Sequence, residues 1–252
     1  MPSIRDHNIL VIGGSSGIGA AVAKLAAADG VNVSIASSNP TRIQNTITEI
    51  QSAVPHAKIA GYICDVNQDD VESNLEQLFA DVTVARGALL DHIVYTATAL
   101  DIRPLTEVSV EYLRSTVQFP YVVPFLIAKL ALRYVKKTYT SSITFTSGVL
   151  AEKPAKGAPV VSAWGSSLYG TTRGLALDLA PVRVNLVSPG ATDTGLLGAG
   201  EQRTARVETM AKNSLLGKIG SPEEVAEAYI YLMKDSNTTG TCVSTNGGVL
   251  VK

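Results

Sequence analysis

The sequence predicts an α/β fold: a Rossmann-type, doubly wound parallel sheet of about seven strands flanked by helices. Two observations carry this. Short runs rich in Val, Ile and Thr alternate with helix-length stretches from end to end, as buried parallel strands and their crossover helices require. A glycine-rich turn stands directly after the first run and opens the first helical stretch, where such folds receive a dinucleotide.

In chain order the strand-like runs are Ile9–Ile12, Val31–Ala36, Ile59–Cys64, His92–Thr96, Ser142–Thr146, Val182–Val187 and Thr241–Thr245. Helical stretches between them include Gly17–Asp29, Gln68–Ala85, Tyr121–Leu132 and Leu168–Leu179. Glu152–Pro159 and Thr192–Asn213 are loosely patterned and follow strands, on the edge where these sheets bind ligands. With no repeat, linker or low-complexity tract, residues 1–252 read as a single dinucleotide-binding domain. A chain this long buries roughly three quarters of its unfolded surface and needs no disulfide staples.

Net charge is −1, which gives no reason to expect nucleic acid or an anionic membrane as partner. The two cysteines, Cys64 and Cys242, fit a reducing compartment. Met1 to His7 is polar without a signal-peptide pattern, so a cytoplasmic location is expected. Val117 to Leu132 is the most apolar run, and Gln118, Pro120, Pro124 and Lys129 interrupt it, so no membrane span is expected. No metal site is expected.

The glycine loop reads Gly13-Gly14-Ser15-Ser16-Gly17-Ile18-Gly19. Its glycines let the backbone turn and approach a pyrophosphate, and the helix N-terminus offers free N–H groups and partial positive charge. The second strand ends in Ala36-Ser37-Ser38-Asn39-Pro40-Thr41-Arg42, with no acid to hold a ribose 2′-OH. Small hydroxyls leave room for a 2′-phosphate, which favours NADP(H). Arg42 either neutralises that phosphate or is a solvated residue of a helix's first turn. Asp65, before Val66, either accepts from an adenine amino group or caps the next helix.

These residues resemble the short-chain dehydrogenase/reductase family along essentially the whole chain. The glycine loop is similar to the family's, with Ile12 in place of a Thr or Ser, and Asp65-Val66 is similar to its adenine-side motif. Arg183 to Gly190 nearly copies the segment after the family's long catalytic helix. Asn246-Gly247-Gly248 resembles its Asp-Gly-Gly. The resemblance implies cofactor contacts from Thr96, Ala97, Pro189, Gly190, Thr192 and Thr194, with Thr194 holding the nicotinamide carboxamide. It also implies a homo-oligomer, dimer or tetramer, paired through the Tyr121–Leu132 and Leu168–Leu179 helices.

Departures from the family pattern bear on chemistry. The family's Asn-Asn-Ala-Gly reads Tyr95-Thr96-Ala97-Thr98. In its tetrad the Asn aligns best with Gln118 and the Ser with Ser147, while its Tyr-x-x-x-Lys falls on Val161 and Gly165. A Tyr beside a Lys exchanges a proton with a carbonyl or alcohol oxygen. Val and Gly cannot. Tyr169, with Arg173 four residues on, is either a displaced donor or a helix-packing or subunit-contact residue. Val160 to Gly165 and Val94 to Ala97 resemble an atypical subgroup that includes fungal bifunctional reductase/Diels–Alderases of prenylated indole alkaloid pathways. That subgroup uses a pocket acid, an Arg and a Trp. Trp164 stands for the Trp, whereas Val161 and Gln118 stand at the other two positions.

The expected function is an NADPH-dependent reductase of an activated small molecule, an iminium or a conjugated acceptor, in secondary metabolism. Such a substrate needs little protonation by the enzyme, which then supplies orientation. Ser147 would donate weakly to a substrate oxygen or merely end a strand. Trp164 would offer an aromatic face or be an ordinary core residue. A non-redox cyclase or isomerase in the same pocket is the alternative, and a scaffold without chemistry a third reading.

Overall fold

The computed structural model describes residues 1–252. All seven expected strands form: β1 (Asn8–Ile12), β2 (Asn32–Ser37), β3 (Ile59–Ile63), β4 (His92–Tyr95), β5 (Ser142–Thr146), β6 (Arg183–Pro189) and β7 (Cys242–Thr245). They make one parallel sheet in the order β3-β2-β1-β4-β5-β6-β7. The order reverses between β1 and β4, which opens a crevice beyond their carboxyl ends. The central strands β1, β4 and β6 are buried on both faces, which is why they read as continuous apolar runs rather than alternating ones.

Helices α1 (Gly17–Ala28), α2 (Pro40–Ala53) and α8 (Pro222–Lys234) bury one face of the sheet. The other face lies under α3 (Val71–Arg86), α5 (Val123–Tyr134) and α6 (Pro159–Asp178). Alanines in α1 bury against the sheet, where their small side chains let the helix approach closely. Helix α2 starts at Pro40, whose missing N–H costs nothing there, and Asn39 caps it by accepting from the Arg42 amide at 2.9 Å. Helix α8 starts with a capping box between Ser221 and Glu224. The loosely patterned Thr192–Asn213 stretch contains a short turn, Gly195–Leu197, and helix α7 (Gly200–Lys212).

One expectation needs correction. Pro120 and Pro124 do not break the apolar stretch: α4 (Val110–Thr116), a π turn over Gln118–Val122 and α5 run on as one helix from Val110 to Tyr134. The π turn absorbs Pro120 by letting the Val122 amide reach back five residues to the Val117 carbonyl at 3.1 Å. Pro124 sits in the first turn of α5. This 25-residue helix is long and apolar enough to cross a membrane. In the fold its Val123, Ile127 and Ala131 enter the core, and Lys129 and Arg133 pair with Glu72 and Glu76 of α3. Val110, Leu113, Val117, Tyr121, Phe125 and Leu132 remain exposed along it.

Candidate active site

At the carboxyl ends of the strands lies a cavity of about 1420 Å³. A single small-molecule site takes about 300–1,000 Å³, so there is room for two ligands side by side. One half is built by the β1–α1, β2–α2 and β3–α3 loops, the other by the β5–α6 loop, α6, and the segments after β6 and β7.

The first half is a cradle with no space for side chains. Gly13 has φ 93°, and a Cβ there would lie 2.5 Å from the Ala97 amide nitrogen and 2.7 Å from Thr96 Oγ1. A Cβ on Gly19 would overlap the Gly13 carbonyl and sit 2.5 Å from Thr96 Oγ1. Thr96 Oγ1 donates to the Gly13 carbonyl at 3.3 Å, tying β4 to the loop. No main-chain acceptor takes the amides of Ser16, Gly17, Ile18 or Gly19, which leaves the start of α1 open to an anion. Ser15 Oγ donates to Ser37 Oγ at 2.7 Å, and Thr46 Oγ1 to the Ser15 carbonyl at 3.1 Å, so α2 and the end of β2 hold the loop. Across the cavity Thr194 Cγ2 lies 3.1 Å from where a Gly17 Cβ would be. These features fit a dinucleotide pyrophosphate.

Ser38 and Arg42 stand at the rim beside Ser37, and the Arg42 guanidinium has no acceptor or carboxylate partner in the protein. Asn39 Oδ1 accepts from the Arg42 amide to cap α2, and Asn39 stands outside the residues that line the cavity. Asp65 lines it with Val66, and its carboxylate accepts from the Asn67 amide and the Gln68 side chain, both at 2.9 Å. The next helix is preceded by Asp70, so Asp65 shapes a turn rather than capping α3. Pro189, Gly190 and Thr192 line the far wall. Gly190 is held tightly, since a Cβ there would lie 2.7 Å from Asn246 Cα.

In the second half α6 turns Val161, Trp164, Gly165 and Leu168 toward the cavity. Ser147 Oγ donates to the Gly165 carbonyl at 2.9 Å. A Cβ on Gly165 would meet Ser147 Oγ at 3.4 Å and Ala151 Cβ at 3.1 Å. Val161 and Gly165 therefore face Ser147, as the ungapped register requires, and the single Ser147 proton is engaged within the protein. Trp164 is half-buried on the cavity wall.

Two sequence candidates do not join them. Tyr169 lies eight residues past Val161, about 12 Å along the helix. It borders a separate small void with Thr172, Leu186 and Cys242, where burial pushes its phenol far up and leaves the hydroxyl without a partner. Gln118 also lies off the cavity. The π turn aims its amide at the β3–α3 loop, where it donates to the Val66 carbonyl at 2.9 Å and the Gln68 carbonyl at 3.4 Å.

Two further tyrosines lie near the site, and both hydroxyls are spent. Tyr95 lines the cavity, yet its hydroxyl donates to the Phe119 carbonyl at 3.0 Å. Tyr229 donates to Thr146 Oγ1 at 2.7 Å, since Thr146 itself donates to the Tyr95 carbonyl. Burial pushes both phenols up. Cys64 lines the adenosine end, and burial raises its thiol to about 11, so it is no nucleophile. No cluster of His, Cys, Asp or Glu suits a metal. Sequence reasoning missed the outer wall, where Leu150, Lys153, Leu197, Met210 and Val249 meet from three separate segments. No local motif marks residues that only the fold assembles.

A sequence model described as an SDR-like Rossmann domain matches residues 3–252. The short-chain dehydrogenase/reductase ATR9 of Stachybotrys chlorohalonatus is 49% identical over 253 residues, covering 100% of both chains. The short-chain dehydrogenase/reductase malC of Malbranchea aurantiaca is 37% identical over 256 residues, covering 99% of this chain and 96% of that one. The solved structure of the MalC reductase/Diels–Alderase from the same organism superposes with a TM-score of 0.93, over 98% of this chain and 97% of that one.

Proposed function

The chain belongs to the short-chain dehydrogenase/reductase family, and from that premise we propose that it is an NADPH-dependent reductase of an activated small organic molecule, an iminium or a conjugated acceptor, in secondary metabolism. One observation carries this reading: an open dinucleotide cradle adjoins a reaction centre in which no phenol, thiol or lysine stands ready to move a proton beside Ser147. NADPH, when bound, supplies a hydride. Gly13, Gly17 and Gly19 would admit its pyrophosphate, Ser37, Ser38 and Arg42 its 2′-phosphate, and Thr194 its carboxamide. Val161, Trp164 and Leu168 would orient the acceptor and exclude water, while protonation falls to solvent.

Loss of absorbance at the nicotinamide band with candidate imines and enones tests the reading. Turnover of substrate without NADPH consumption would instead support a cyclase on the same scaffold, the second reading. It is favoured by the 0.93 TM-score to a protein described as a reductase/Diels–Alderase. A homo-oligomer would pair through the Tyr121–Leu132 and Leu168–Leu179 helices, along which Tyr121, Phe125, Leu132 and Leu177 are exposed. Sedimentation as a monomer at micromolar concentration would refute that assembly. The free thiols Cys64 and Cys242 accord with a cytoplasmic site of action.

A further inference from the structure

Gln118 stands among the catalytic candidates by sequence, and its contacts give it a different task. We propose, on the premise that the cradle holds NADPH, that Gln118 is a positioning residue for the adenine ring. It fixes residues 65–68 so that the Val66 N–H and the Asp65 carboxylate read the ring's hydrogen-bonding edge.

Little else fixes the β3–α3 loop. From Asp65 to Asp70 no main-chain N–H meets a main-chain carbonyl, and Asn67, Gln68, Asp69 and Asp70 are exposed. The Val66 side chain is buried in the core, which sets the depth of the loop but not the direction of its peptide groups. Gln118 sets that direction. Its Nε2 donates to the Val66 carbonyl at 2.9 Å and the Gln68 carbonyl at 3.4 Å, and no other element hydrogen-bonds to the main chain of residues 65–70.

Asp65 and Val66 line the cavity, and both keep something to offer. The Val66 N–H has no acceptor in the protein. The Asp65 oxygens accept one bond each, from the Asn67 amide and the Gln68 side chain, so each retains a lone pair. An adenine edge presents the complement, an amino donor beside a ring-nitrogen acceptor.

The π turn aims Gln118, and Tyr95 holds the π turn. The Val123 amide reaches back to the Gln118 carbonyl and Pro124 has no N–H, so neither supplies the Phe119 carbonyl with its helical donor. The Tyr95 hydroxyl donates to it instead, at 3.0 Å. Tyr95 on β4, the π turn and the β3–α3 loop thus form one line of contacts from the centre of the sheet to the adenine end.

The test compares NADPH with its deamino analogue, which carries hypoxanthine in place of adenine, by fluorescence titration. Hypoxanthine puts a carbonyl where the amino group was and a proton on the neighbouring ring nitrogen, which reverses both contacts. The wild type should bind NADPH about tenfold more tightly than deamino-NADPH. Gln118→Met keeps the length and removes the donor. It should weaken NADPH about tenfold and deamino-NADPH by less than about twofold, which abolishes the preference. Gln118→Lys keeps a donor and should retain it. Both dinucleotides carry the same phosphates, so the ratio is blind to the added charge. Tyr95→Phe should narrow the ratio about threefold, and it decides the matter if Gln118→Met does not fold: an unchanged ratio there overturns the assignment. Equal weakening of both dinucleotides in folded Gln118→Met would mean a merely structural residue, and an unchanged ratio would overturn the assignment outright. Failure of NADPH to bind the wild type breaks the reductase reading as well, whereas NADPH bound without preference over its deamino analogue overturns only the role of Gln118.

Discussion

Between β1 and α1 the residues are small because something else already occupies the space of a side chain. Side chains on Gly13 and Gly19 would collide with Ala97, Thr96 and the Gly13 carbonyl. Along the first turns of α6 the crowding is milder. Val161 and Gly165 stand where the family carries its Tyr and Lys, and a Cβ at 165 would meet Ala151 Cβ at 3.1 Å and Ser147 Oγ at 3.4 Å. The two regions share one cavity and tolerate change in opposite ways. Packing dictates the cradle, so it allows few alternatives. The reaction half is less tightly packed, and the fold forms with Val and Gly where the family carries its Tyr and Lys.

The largest expected effect attacks the cradle. Gly19→Val should weaken NADPH binding at least about 100-fold, some 2.7 kcal/mol, with the far-ultraviolet dichroism unchanged. Normal binding by fluorescence titration would mean the loop does not hold the pyrophosphate. Ser37→Asp should follow, shifting preference from NADPH toward NADH by about tenfold through repulsion of the 2′-phosphate. An unchanged ratio of dissociation constants would remove the end of β2 from cofactor choice.

Restoring the missing pair tests the reaction half. Val161→Tyr with Gly165→Lys should produce little ketone reduction, because a side chain at 165 starts 3.1 Å from Ala151 Cβ. Adding Ala151→Gly should raise that rate at least about tenfold over the double variant, at the low end of a positioned general acid's contribution. If the double variant alone reduces ketones well, crowding is not what keeps this half closed to the usual chemistry.

A smaller effect separates activity from stability in their pH dependence. Hydride consumption should show no limb from an enzyme phenol, since the nearby phenols are pushed up by burial and engaged or remote. Stability should behave differently. At the amino end of the central strand β4, His92 is fully buried, 3.0 Å from His7 Nδ1 and 2.9 Å from Ser142 Oγ, and burial, then the nearby His7, Arg183 and Lys136, holds its imidazole well below the usual range. The fold keeps it neutral while the unfolded chain takes a proton below about pH 6.5. Stability therefore falls as pH drops through that value. Melting temperature should decline by roughly 4–8 °C from pH 7 to 5, and a flat profile would contradict a neutral His92.

The smallest effect is expected at Tyr169. Its phenol lies off the cavity, so Tyr169→Phe should leave kcat/KM within about twofold. Removing a buried hydroxyl that has no partner should be neutral or stabilising by about 1 kcal/mol. A hundredfold loss of rate with folding intact would make Tyr169 the proton donor after all and erase the contrast between the two halves.

The order and type of the strands, the glycine cradle and the absence of Tyr-x-x-x-Lys were determined by sequence alone, because each is a local pattern. Burial on both faces writes a continuous apolar run, a phosphate-ready turn demands glycine at set positions, and a pair four apart on a helix is either present or absent. Tertiary structure decided matters that depend on direction. Gln118 carries a side chain suited to a site, but the π turn around Pro120 aims it at the β3–α3 loop. Asn39 has its side-chain oxygen committed to a helix cap. The Ser147 hydroxyl turns to the Gly165 carbonyl, a contact between residues 18 positions apart. Lys153 and Lys252 come from the β5–α6 loop and the end of the chain, and only the packed fold sets them at one cavity. Residue type is a property of the chain, whereas the partner a hydrogen-bonding group meets depends on where the packed core leaves it pointing.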